Sequence, residues 1–148
     1  MNFNFPSMEP QSIANLFSAL RDGELRELHM EEGTLQFQVL LPKLAALRGE
    51  GFQQFLCNLS EVKAFVLQPF RNDSTEIKDL KQIHKLQLRI ERAEVGEGGW
   101  IKVACAHKGS LSGALLRIKA ERFTVWDEAF DALTAADLAI LRGKAAGK

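Results

Sequence analysis

Leu35-Gln36-Phe37-Gln38-Val39-Leu40-Leu41 decides the fold class of this 148-residue chain. Leu35, Phe37, Val39 and Leu41 recur at every second position, so an extended backbone sets all four on one face and the two glutamines on the other. A stretch with one apolar and one polar face reads as a half-buried strand of an antiparallel sheet. The same alternation returns at Leu86-Gln87-Leu88-Arg89-Ile90, at Ile101-Lys102-Val103-Ala104-Cys105 and at Leu116-Arg117-Ile118-Lys119-Ala120.

Just before the first stretch, Leu28 and Met30 alternate with Glu27, His29 and Glu31, and Glu32-Gly33 supplies a hairpin turn. Further upstream, Ile13, Leu16, Phe17 and Leu20 form one helical stripe. That stripe predicts a helix over residues 12–22, with Ser12 as N-cap and Gly23 as the stop. Residues 1–10 read as a loose arm. Downstream, Pro42 ends the strand because it has no N–H to donate, and residues 43–48 can make one helical turn.

Phe55, Cys57 and Leu59 alternate again, whereas residues 62–69 are apolar on both faces and predict a central strand covered on two sides. Arg71-Asn72-Asp73-Ser74 is a turn, with a short helix carrying Ile77, Leu80 and Ile83 after it. Between residues 86 and 95 the apolar parity changes, from Leu86, Leu88 and Ile90 to Ala93 and Val95, which predicts a bulge near Glu91-Arg92. Gly96-Glu97-Gly98-Gly99 turns the chain, and strands over 100–107, 112–120 and 121–126 complete a meander. Thr134 caps a last helix with Asp137 at N3 and with Leu133 and Leu138 as a hydrophobic staple. Gly143 ends this helix, leaving 144–148 as a frayed tail. The expected architecture is a single α+β domain, mainly antiparallel β. It is a curved sheet or two-layer sandwich of about seven or eight strands, with an N-terminal and a C-terminal helix.

Composition narrows the function classes. With 46% hydrophobic and 26% charged residues the chain is an ordinary globular one. Nineteen basic and nineteen acidic residues balance, and the mild basic excess of the middle third lacks a dense Lys/Arg cluster. Nucleic acid is therefore an unlikely partner on sequence grounds; its binding would have to run through Lys78, Lys81, Lys85, Arg89 and Arg92. No apolar run spans a membrane and no signal-peptide pattern opens the chain, so a cytoplasmic location is the expectation.

The catalytic inventory is sparse. Cys57 and Cys105 sit in apolar strands, Cys57 with no His nearby in sequence, and both read as buried thiols. Cys105 and His107 offer two zinc ligands at most, and His29 stands on a wet strand face between two glutamates. No nucleophile elbow and no phosphate loop is present, and no cofactor or metal is expected. A carboxyl group beside an apolar ring can be held protonated as an acid, which makes Asp127 and Glu128, next to Trp126, the first pocket candidates, with His107. Good fold signals with few catalytic ones favour a non-catalytic protein that binds another protein or its own copy. Trp100 and Trp126, each on the outer parity of its strand, are the contact candidates. The alternative is a small enzyme or ligand carrier with a pocket near residues 126–131.

Overall fold

The alternating stretches become strands of one antiparallel sheet in the computed structural model of the chain, which describes residues 7–69, 76–106 and 113–146. The Leu86–Ile90 stretch does so only from Arg89 onward, because Leu86 and Gln87 form the turn after a helix. The elements run α1 (Pro10–Ala19), β1 (Glu24–Glu31), β2 (Thr34–Leu40), α2 (Pro42–Ala45), β3 (Gln54–Ser60) and β4 (Ala64–Pro69). They continue with α3 (Leu80–Lys85), β5 (Arg89–Val95), β6 (Ile101–Ala106), β7 (Gly113–Lys119), β8 (Arg122–Trp126), β9 (Ala132–Leu133) and α4 (Ala135–Ala146). The order across the sheet is β4-β7-β6-β5-β1-β2-β3-β8-β9. The α+β class and both terminal helices stand as read, and the strand count rises to nine because β9 is a two-residue addition too short for any periodicity.

Chain connectivity forces this sheet to curl. β3 and β4 lie six places apart in the order, and so do β7 and β8. Six strand spacings on a flat sheet measure about 29 Å. The links from Ser60 to Ala64 and from Lys119 to Arg122 are three and two residues long, and reach at most about 14 Å and about 11 Å. The two ends must therefore meet. Where they do, the Lys63 N–H donates to the Lys119 carbonyl at 2.7 Å and the Glu121 N–H to the Ser60 carbonyl at 3.0 Å. At mid-sheet β1 and β5 share only the pair Glu24↔Arg89. The sheet thus divides into two facing halves, β1-β2-β3-β8-β9 and β5-β6-β7-β4.

Each half exchanges a strand with the other. A helix, a three-strand meander and a fourth strand follow one another twice along the chain, as α1-β1-β2-β3-β4 and α3-β5-β6-β7-β8. Both fourth strands cross over: β4 pairs with β7 and β8 pairs with β3. The opening strands also match, with register breaks between Arg26 and His29 in β1 and between Ile90 and Arg92 in β5. The second break is the bulge expected from the parity change. The 121–126 strand therefore does not extend the meander, since it leaves β7 for the other half.

The inner faces close on one core. Leu35, Phe37 and Val39 of β2, Phe55, Cys57 and Leu59 of β3, and Ile101, Val103 and Cys105 of β6 are all buried there. Helix α1 lies in the concavity and joins the halves. Phe17 packs against Phe123 of β8 at 4.4 Å and Phe37 of β2 at 6.3 Å between ring centroids. The Ser18 hydroxyl accepts from the Ala93 N–H at 2.9 Å and donates to the Ala93 carbonyl at 3.2 Å on β5.

Other expectations shift. Helix α1 begins at Pro10, not Ser12, because Pro at N1 needs no N–H partner. Of the arm, residues 1–6 lie outside the described residues, while Ser7 and Met8 are tied down, the Met8 N–H donating to the Glu121 carbonyl and the Ser7 hydroxyl to the Glu121 carboxylate, both at 2.7 Å. Strand β4 is an edge strand rather than a central one. Its free side is met near Leu67 by a backbone bridge to Ile77, and Phe65, Val66 and Leu67 are buried on both faces. Met30 falls beyond the β1 bulge and is 38% exposed. Helix α4 runs through Gly143 to Ala146, so residues 144–146 are helical. The 71–74 turn and the tip between β6 and β7 lie outside the described residues.

Candidate functional site

The segment after β8 is a tightly bonded turn built around Asp127. Its carboxylate is 2% exposed and accepts from the Ala129 N–H at 2.8 Å, the Asp131 N–H at 3.1 Å and the Arg48 guanidinium at 2.9 Å. The Phe130 N–H closes the turn onto the Asp127 carbonyl at 2.9 Å. Burial alone would raise this carboxyl. The backbone donors at Asp131 and Ala129 and the Arg48 charge outweigh burial and hold it below the usual carboxylate range. Asp127 is therefore an ionised clip rather than a protonated acid. Glu128 has a similar duty: its carboxylate accepts the Gln53 N–H at 2.6 Å and the Gln54 N–H at 3.1 Å, fastening the turn to the start of β3.

What the turn displays is Phe130. Its φ is 63°, the left-handed region where a bulky residue is strained, and its side chain is 72% exposed. Beside it lies a surface cleft of about 610 Å3 on the outer face of β2, β3 and β8. Gln38, Leu56 and Trp126 stand in one cross-strand row and Gln36, Asn58 and Thr124 in the next. Glu27 and His29 form the opposite rim. The cleft has an amide floor, an aromatic wall and no ionisable group at its centre. A second concavity of about 440 Å3, at the free side of β4, is lined by Met30, Phe65 and Leu80 with Lys63 and Lys78.

The two tryptophans have separate settings. Both lie on outer faces, as their parity requires, but on opposite halves of the sheet. Trp126 borders the cleft. Trp100 lies under two cations, Arg117 at 4.6 Å and Lys119 at 5.2 Å from the ring centroid, so its face is already occupied. Trp126, Asp127 and Glu128 are contiguous, yet the two carboxylates serve the turn rather than the cleft. His107 lies outside the described residues. Phe130 belongs to the 126–131 segment singled out as the alternative pocket, whereas Gln36, Gln38, Leu56 and Asn58 are the cleft residues that motif reasoning passed over. Their one signal in the sequence is the uncharged outer parity of β2 and β3.

Burial masks the two thiols, and the two described histidines lie on strand β1 and helix α3. Burial pushes the Cys57 thiol well above its ordinary range, and burial together with the Glu91 charge pushes Cys105 up to about 12. His29 sits on an exposed face with Glu31 at 3.4 Å. His84 Nδ1 accepts the Glu27 N–H at 3.1 Å. Among the described residues no three His, Cys, Asp or Glu side chains gather where a metal ion would fit, and no helix is long and apolar enough to cross a membrane. Compared with family models, with curated proteins and with solved structures, the chain matches none.

Proposed function

We propose that this protein is a non-catalytic binding module whose contact surface is the outer face of β2, β3 and β8, centred on Leu56 and Trp126 with Phe130 at its rim. The observation that carries this reading is Phe130: a large apolar side chain, 72% exposed, on a strained backbone that Asp127 and Glu128 hold rigidly. Strain kept at an exposed aromatic points to use of that side chain rather than to stability. Aromatic groups amid uncharged polar ones are also the composition of an interface centre. The contact is with protein, either a foreign chain or a second copy. Two unpaired cysteines suit a reducing compartment, and we place the protein in the cytoplasm on that ground.

Hydroxyl-radical labelling of the protein at its natural level in an extract of its own cells, against dilute purified protein, tests this. Protection of Trp126 and Phe130 with unchanged Trp100 labelling is expected. Equal labelling of all three in both samples would remove the reading. A second reading, a carrier of a neutral polar small molecule, draws on the cleft itself, whose volume of about 610 Å3 is in the usual ligand-site range.

A further inference from the structure

The internal strand exchange supplies a comparison within one molecule. Counted from the two crossovers, where Ser60 pairs with Arg122 and Lys119 with Ala64, the outer row Gln36–Asn58–Thr124 of the first half corresponds to Lys102–Arg117–Val66 in the second. Equivalent positions of one repeated framework thus carry no charge on one face and two cations on the other. Among the described residues, the outward side chains of β2, β3 and β8 include one ionisable group, Arg122, at the end of the face away from Trp126. In a chain with 26% charged residues, this is the sheet surface from which charge has been withdrawn.

We infer that the occupant of this face is a second copy of the same chain, related by a two-fold axis near Leu56. The inference rests on the binding-module reading. A two-fold contact sets each patch against itself. A cationic face cannot do this without like-charge repulsion, whereas an uncharged one can. Amides suit the arrangement further, because Gln36, Gln38 and Asn58 each carry donors and an acceptor and can pair with their own equivalents. Phe130 and the cleft form a projection and a hollow on the same face, so each copy can insert its ring into the other. Three strands at about 4.8 Å spacing and seven residues at about 3.4 Å give a face of only a few hundred Å2, so the dimer is a weak, concentration-dependent one.

Sedimentation velocity of the full chain over a hundredfold concentration range tests this, with Leu56→Lys, Leu56→Glu and Phe130→Ala alongside. The wild type is expected to shift from monomer to dimer mass. Each variant, folded by circular dichroism, is expected to weaken the dimer at least about tenfold. An equimolar mixture of Leu56→Lys with Leu56→Glu is expected to recover it, because opposite charges then meet near the axis. A wild type that stays monomeric throughout, or a dimer indifferent to Leu56→Lys and Phe130→Ala, overturns the second copy as occupant. Monomeric purified protein whose Trp126 is still protected in cell extract would leave the binding-module reading standing, with a foreign partner.

Discussion

Arg48 and Asp127 meet at 2.9 Å beneath the turn that carries Phe130, joining the chain after α2 to the chain after β8. The pair is asymmetric, since Asp127 is 2% exposed and Arg48 32%. Removing the carboxylate therefore takes the shared acceptor from the Ala129 and Asp131 N–H groups and from the Arg48 guanidinium. Asp127→Ala is expected to cost about 2–4 kcal/mol in urea unfolding. Asp127→Asn keeps an oxygen acceptor for the turn and is expected to cost less, about 1–2 kcal/mol.

The same group sets an acid limit. The folded carboxyl lies below its unfolded value, so the folded state holds fewer protons there than the unfolded chain. Its contribution to stability is complete above about pH 4 and declines as pH falls through the lowered folded value. Unfolding free energy measured from pH 6 to pH 2.5 is expected to fall less steeply at the acid end in Asp127→Asn than in the wild type.

Gly23 is required by packing. A Cβ there would stand 2.2 Å from Val39 Cγ1 and 3.0 Å from the Leu20 carbonyl oxygen. Gly23→Ala is expected to destabilise the protein by about 1–3 kcal/mol as the α1–β1 link and Val39 move apart. Thermal melting checks this, and a drop in Tm is the expected result.

Both thiols are shielded in the folded protein. Cys57 and Cys105 are buried and held protonated at neutral pH. Alkylation at pH 8 is expected to run at least about a hundredfold slower in the native protein than in denaturant. Fast native labelling of Cys57 would mean that β3 opens.

Strand parity was legible in the sequence because burial on one face imposes a period of two, and the break at Glu91-Arg92 was legible because a bulge inverts that parity. Strand exchange was not. Whether residues 121–126 pair with β7 or with β3 depends on partners about sixty residues away, and the alternation is the same for both. The doubly apolar stretch 62–69 misled because Phe65, Val66 and Leu67 are buried on both faces of a strand that nonetheless stands at the edge of the sheet. At the site, Trp126 was legible from parity. Phe130 was not, because its prominence comes from a φ of 63°. Asp127 had the composition of a proton donor, and only its partners, Arg48 and two backbone N–H groups, make it an ionised clip.

The central claim is that Phe130 is held out for contact, and Phe130→Gly tests it most directly, because glycine accepts the left-handed conformation without strain. Tm and radical labelling of Trp126 in cell extract are measured on the same variant. A Tm equal to the wild type or up to about 3 °C higher is expected, with protection of Trp126 lost. A Tm lowered by more than about 5 °C with Trp126 still protected would show Phe130 to be part of the fold's stability and would contradict the claim.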